Sequence, residues 1–290
     1  MLEFHVYDVF TDRAFSGNPL AVVTGADGLS GRQMQTIARQ FNLSETIFVM
    51  APRDPAHAAR VRIFLPLAEI PFAGHPTIGC ALHLSPRDGD LVLEEEAGPV
   101  PVTIRDGLAE FAAPVLPECG AAVDPAVAAA GLGLDGAQVG FDRHRPMLAQ
   151  AGPGFVMVPL RDVAALAQAR PHGAAFEALS AGPGKVYCYA PDPDLPPGTG
   201  FRARMFAPAN GVPEDPATGS ATATLAAPLL AAGVLPEGET RLSLRQGIEM
   251  GRPARLGLRI TVRGGSLAQV CVSGRAVPVA QGRIAVPEDR

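Results

Sequence analysis

Arg62-Ile63-Phe64-Leu65-Pro66, followed by Ile70-Pro71, is met a second time as Arg204-Met205-Phe206-Ala207-Pro208, followed by Val212-Pro213. All matched pairs keep one offset, close to half of the 290-residue chain. After the first copy, Ala73-Gly74-His75-Pro76-Thr77 leads into an apolar run from Ile78 to Leu84. After the second, Asp215-Pro216-Ala217-Thr218-Gly219-Ser220 leads into Ala221 to Ala232. Each copy reads as a strand, a turn of small residues and a helix start. Self-similarity at this distance predicts two lobes of one architecture. The proline-rich stretch from Pro114 to Pro125 is the natural boundary. It gives an N-terminal lobe of residues 1–117 and a C-terminal lobe of residues 118–290, with the last strand free to return to the first lobe.

The first turn of a helix leaves N–H groups without intrahelical partners and carries roughly half a positive charge. Two such ends facing each other across a lobe interface would form an anion site without any Arg or Lys. That chemistry suits a carboxylate, and also the enolate-like charge left by proton removal.

Bulk composition narrows the function classes. A hydrophobic share of 47% and a charged share of 18% supply apolar material for two cores. Gly and Pro, 32 and 29 residues, imply many tight turns between short elements rather than disorder. A net charge of −5 argues against a nucleic-acid partner, which calls for a basic face. The opening Met1-Leu2-Glu3-Phe4-His5-Val6-Tyr7-Asp8 alternates like a strand and lacks the basic start and apolar block of a signal peptide. The apolar stretch from Leu225 to Leu235 is broken by Pro228 and is too short for a bilayer. Cys80, Cys119, Cys188 and Cys271 are far apart, so reduced thiols are expected rather than a disulfide framework or zinc site. The expectation is a soluble, cytoplasmic protein with no membrane partner and no metal.

Short β-branched runs bounded by Gly, Pro and Asp predict strands at 21–23, 46–50, 61–65, 91–93, 155–158, 185–189, 255–262 and 268–272. Ser30 is placed to cap a helix whose Met34, Ile37, Ala38 and Phe41 form one apolar stripe. Asp124-Pro125 marks another helix start.

Ser16-Gly17-Asn18-Pro19-Leu20-Ala21-Val22, Ser44-Glu45-Thr46-Ile47-Phe48, Pro71-Phe72-Ala73-Gly74-His75-Pro76-Thr77 and Glu214-Asp215-Pro216-Ala217-Thr218-Gly219-Ser220-Ala221 follow one another along the chain. With Gln246-Gly247-Ile248-Glu249-Met250-Gly251-Arg252-Pro253 and Val272-Ser273-Gly274, they resemble the successive signatures of the PhzF-like phenazine-biosynthesis family. Leu65 stands where a threonine is common, and Ile70 where a leucine is usual. The resemblance implies an α+β, diaminopimelate epimerase-like fold: two pseudo-symmetric lobes, each a curved, barrel-like sheet around a central helix, with the active site in the cleft between them. It also implies a homodimer and an isomerase that needs no cofactor, moving a proton on a small cyclic or amino carboxylate. The family's characterised reaction is the isomerisation of trans-2,3-dihydro-3-hydroxyanthranilate.

Carried over by motif, Glu45 is the proton-transfer residue, and partial burial would lift its pKa toward its task. His75 either packs its tight turn or orients the substrate or a proton; within the motif the second role is implied. Asp215 is expected to cap the second helix start, to accept a substrate N–H, or both. Gly219 and Ser220 are expected to bind the substrate carboxylate, with Gly74 and Thr77 as first-lobe counterparts. Asn18 completes the set, although Gly-Asn-Pro is also a turn sequence in its own right.

Two rival readings differ in kind. Relatives of the fold that racemise amino acids use one thiol from each lobe, but neither cleft turn here contains cysteine, and Cys80 reads as core. One-base epimerisation through Glu45 stays open. The other rival is a non-catalytic small-molecule binding protein on the same scaffold.

Overall fold

A computed structural model describes residues 1–85 and 87–289. The first half runs β1 (Leu2–Val9), β2 (Asn18–Thr24), α1 (Gly31–Phe41), β3 (Glu45–Met50), β4 (Ala59–Phe64), β5 (Glu69–Ile70), α2 (Gly74–Leu84), β6 (Gly89–Glu95), β7 (Gly98–Arg105), β8 (Leu108–Ala112) and β9 (Glu118–Ala122). The second runs α3 (Pro125–Leu132), β10 (Met147–Gln150), β11 (Gly154–Pro159), α4 (Val163–Gln168), α5 (Gly173–Leu179), β12 (Val186–Pro191), β13 (Gly200–Ala207) and β14 (Val212–Asp215). It continues through α6 (Gly219–Thr224), α7 (Ala226–Ala231), β15 (Gly238–Gln246), β16 (Ala254–Arg263), β17 (Ser266–Gly274) and β18 (Ala276–Ile284).

The repeat seen in the sequence is a repeat of topology. β1 pairs antiparallel with β2, β2 parallel with β3, and β3 antiparallel with β4. β4 then takes β5 antiparallel and β6 parallel, and β6 pairs antiparallel with β7. Nine strands later, β10 to β16 reproduce every one of these relations in the same order. The matched arginines do one job in both copies. Arg62 holds Glu69 on β5 through two bonds of 2.6 Å and lies over the Phe64 ring. Arg204 holds Glu214 on β14 through two bonds of 2.8 Å and lies over Phe206. A planar guanidinium suits both the carboxylate fork and the aromatic face. Arg204 is almost fully buried and also donates to the carbonyls of Leu166 and Ala169 at the end of α4.

The chain divides into two compact units. One holds residues 1–114 with the segment from Ser273 onward, and the other holds Val115–Val272. β18 lies antiparallel on β1 in the first, and β9 on β10 in the second. In the first unit the sheet curves round α2, which packs on β1, β2, β3, β6, β7, β8 and β18. The sheet is curved but not closed into a barrel. α1 covers the outer face, where Met34, Ile37 and Ala38 meet Val23, Phe48, Met50 and Phe64. In the second unit α3, α4 and α5 cover the corresponding face of β11, β12 and β13.

Local chemistry explains the element ends. Ser30 and Gln33 form a reciprocal capping box at α1, and Asp124 accepts from Ala126 N at α3. α2 begins at Gly74, earlier than the apolar run suggests. Pro76 is tolerated there because a first-turn N–H has no intrahelical partner to lose. The single helix expected over 221–232 is instead two, α6 and α7, meeting at Leu225. Pro228 has no N–H to give the Thr224 carbonyl, and the ladder breaks there. No described helix is long and apolar enough to cross a membrane.

Gly17 and Gly25 both have left-handed backbone, with φ of +63° and +71°, but only Gly17 is crowded. A Cβ at Gly17 would sit on the Val9 carbonyl oxygen, whereas one at Gly25 meets nothing. Gly17→Ala is therefore expected to cost about 2 kcal/mol or more, and Gly25→Ala only the ~1–2 kcal/mol of the backbone conformation. Urea unfolding of the two variants side by side checks the difference.

Candidate active site

β2 and β3 run parallel with Leu20 opposite Glu45, so Asn18 and Glu45 both lie at the N-terminal ends of adjacent strands. α1 ends on Asn42 in left-handed conformation, and Leu43-Ser44 step the chain into β3. Thr46 to Met50 are buried and anchor the strand, while Glu45 at its mouth keeps 13% of its side chain exposed. His75, in the first turn of α2, is 3% exposed, and its Nδ1 lies 3.1 Å from Glu45 Oε2. The Asn18 amide nitrogen makes a longer approach of 3.4 Å to the same ring nitrogen.

Burial drives the His75 pKa down to about 3, with the Pro19 backbone opposing. At neutral pH the ring is uncharged. The two groups therefore meet as a carboxyl group and a neutral imidazole, not as an ion pair.

Gly74 is buried at the start of α2, a helix whose N-terminus no side chain caps. Thr77 is bonded within the unit. It is fully buried, its N–H bonds the Ala73 carbonyl at 3.2 Å, and its hydroxyl meets Ala73 O at 2.8 Å and Glu95 Oε1 at 2.6 Å. Glu95, at the end of β6, was invisible as a site residue because Glu94-Glu95-Glu96 reads as a solvated run. Strand alternation separates the first two. Glu94 accepts from Arg53 N and Asp54 N, which hold its pKa down to about 2, whereas Glu95 faces inward and desolvation pushes it up to about 8.

In the second unit Thr218, not Asp215, is the α6 N-cap, and its own side chain makes no cap hydrogen bond. Asp215 instead ends β14, buried, and accepts from the Thr218 hydroxyl at 2.6 Å. Two further residues after Asp215 delay the helix because Pro216 and Ala217 belong to the turn. Gln246, at the end of β15 and 1% exposed, clamps that turn from below. It donates to Asp215 O at 2.7 Å and to Thr218 Oγ1 at 3.0 Å, and accepts from Thr218 N at 3.1 Å. The Gln246-Gly247 motif was the available signal for it. Gly219 and Ser220 open α6, the first buried and the second half-buried.

Asn18, Glu45, Gly74 and His75 thus gather in the first unit, with Thr77 behind them. Asp215, Gly219 and Ser220 lie on one turn and helix start in the second. Cys80 is fully buried in α2 and its pKa is pushed upward by burial, so it is a neutral core thiol. Among the described residues no cluster of His, Cys, Asp and Glu is arranged to hold a metal.

A family model described as phenazine biosynthesis-like protein matches residues 7–282. The chain belongs to that family. An uncharacterized isomerase of Mesorhizobium japonicum is 41% identical, over 96% of this chain and 97% of the relative. The trans-2,3-dihydro-3-hydroxyanthranilate isomerase of Pseudomonas aeruginosa is 39% identical, over 98% and 99% of the two chains. The crystal structure of a PhzF-family phenazine biosynthesis protein from Bacillus anthracis superimposes with a TM-score of 0.85 over 98% of this chain and 99% of that one, at 24% identity. The diaminopimelate epimerase-like fold of the PhzF family is thus the fold of this chain.

The depressed His75 pKa has a thermodynamic signature. Between about 6.5 unfolded and about 3 folded, the unfolded chain binds the extra proton. The stability present above pH 6.5 is lost as pH falls through this window, by up to about 1.4 kcal/mol per pH unit. His75→Asn removes that part of the slope, and urea unfolding at pH 7 and pH 5 of both proteins measures it.

Proposed function

We propose that this protein is a cofactor-independent isomerase that moves a proton on a small cyclic or amino carboxylate. Glu45 is its acid/base, and trans-2,3-dihydro-3-hydroxyanthranilate is the first candidate substrate. The observation that carries the reading is the half-buried Glu45 carboxyl set 3.1 Å from a neutral His75. Membership of the family and the isomerase names of its relatives support the reaction class.

A proton shift needs one group to take a proton from one carbon and return it to another. As a carboxylate, Glu45 removes the proton, and the charge left behind spreads toward the substrate's carboxylate. As the acid, it delivers the proton to the new position. An imidazolium beside it would favour the charged carboxylate and oppose the first half of this cycle. A neutral imidazole 3.1 Å away stands beside the carboxyl without that bias. Gly219 N–H and the Ser220 N–H and hydroxyl receive the substrate carboxylate, and Asp215 accepts a substrate N–H.

Glu45→Gln should fold normally and lose turnover by ~10²–10⁴-fold or more. Proton NMR in D2O with the candidate substrate reads this directly: deuterium enters the product with the wild type and not with the variant. Near-wild-type exchange by Glu45→Gln removes Glu45 from the chemistry. Ser220→Ala should chiefly raise KM, and unchanged KM and kcat would take Ser220 out of the site.

A further inference from the structure

The Thr77 hydroxyl carries one hydrogen but meets two oxygens, the Ala73 carbonyl at 2.8 Å and Glu95 Oε1 at 2.6 Å. A carbonyl oxygen only accepts, and so does an ionised carboxylate. With Glu95 ionised, two acceptors would share one hydrogen, and one contact would be left as two oxygens pressed together with no proton between them. With Glu95 protonated, its O–H donates to Thr77 Oγ1, the Thr77 O–H donates to Ala73 O, and each contact has its hydrogen.

The surroundings favour the same state. Glu95 is 7% exposed, its Oε2 is buried without a hydrogen-bond partner, and among the described residues no cation pairs with it. A buried carboxylate so placed is costly. Its pKa is raised to about 8 by desolvation, against the pull of Thr77 and the Ala73 backbone. The titratable group facing it from α2 is the Cys80 thiol, also raised by burial and neutral. From β7 the residue opposite is Gly98. On its own strand, Glu94 is engaged by Arg53, Asp54 and His57.

We propose that Glu95 stands in the folded protein as a neutral carboxylic acid whose O–H, passed through Thr77 to Ala73, pins the turn that carries Gly74 and His75. Glu95 is a positioning residue for the proton-transfer site; this role rests on the function proposed above. When Glu95 ionises, the Thr77 hydrogen turns to the carboxylate, the Ala73 carbonyl loses its side-chain donor, and the start of α2 loosens. Activity should therefore fall as pH rises through about 8, with kcat falling more than KM rises.

Glu95→Gln keeps a neutral donor toward Thr77. It should retain wild-type kcat at pH 7 and lose the fall in kcat above pH 8, whereas Glu95→Ala should lower kcat at every pH. A fall above pH 8 that persists in Glu95→Gln, or a folded Glu95→Gln inactive at pH 7, overturns the proposal. A second measurement does not depend on turnover or on the variant folding. Carboxyl 13C NMR of wild-type protein labelled at glutamate should show one side chain titrating near pH 8, displaced in Thr77→Val. If none titrates there, the proposal fails even in an active enzyme. If it is present in a protein that turns over no carboxylate tested, the role of Glu95 in the turn stands and the proposed function is what fails.

Discussion

Enclosure of α2 by its own sheet is the constraint from which the first unit's chemistry follows. A helix packed on seven strands has no face left for solvent, which is why Gly74 to Ala81 are all buried and the helix is apolar on every side. Its N-terminus is delivered into low dielectric together with whatever residues occupy the first turn. His75 loses its ability to charge for this reason, not because of any specific partner. The same enclosure keeps Cys80 inert and Glu95 uncharged. Glu45, at a strand mouth rather than inside the wrap, keeps more of its surface open than His75 or Glu95.

The second unit reaches a comparable turn by other means. Where the first relies on a threonine and a carboxyl from the next strand, the second uses Thr218, Asp215 and the amide of Gln246. In both, a threonine hydroxyl at the start of the inner helix is tied to an acidic side chain by a 2.6 Å bond. The backbone plan is duplicated and the hydrogen bonding is only analogous. Gly247, at φ +74° beneath Pro216, lets the Gln246 clamp approach the turn so closely.

Much of the fold was legible because its determinants are local. β-branched runs gave the strands, Ser30 and Asp124 gave helix starts, and Arg-x-Phe at a fixed offset gave the duplicated plan because the arginine performs the same bidentate and aromatic contact in both copies. What stayed hidden depends on which way a side chain faces. Three consecutive glutamates look alike in the sequence, yet Glu94 is held ionised by loop amides, Glu95 is sealed inside and Glu96 is exposed. The inward bonds of Thr77 to Ala73 and Glu95 are not legible either, since neither helix phase nor burial of its first turn can be read from Gly-His-Pro-Thr. Asp-Pro reads as a helix opening, yet Pro216 and Ala217 belong to the turn and the N-cap falls on Thr218.

Each nine-strand series ends by leaving its own neighbours. β18 completes the sheet that begins with β1, so residues at opposite ends of the chain are edge partners from Leu2–Ile284 to Val9–Ala276. During synthesis the first unit is without β18 until that strand is made, and α2 lacks its contact with it until then. The second unit carries β9 to all but the end of β17 in one unbroken stretch and has its strands earlier. The first unit is thus drawn from two separate stretches of chain and the second from one, and β1 meets β18 only after the strands of the second unit have been made.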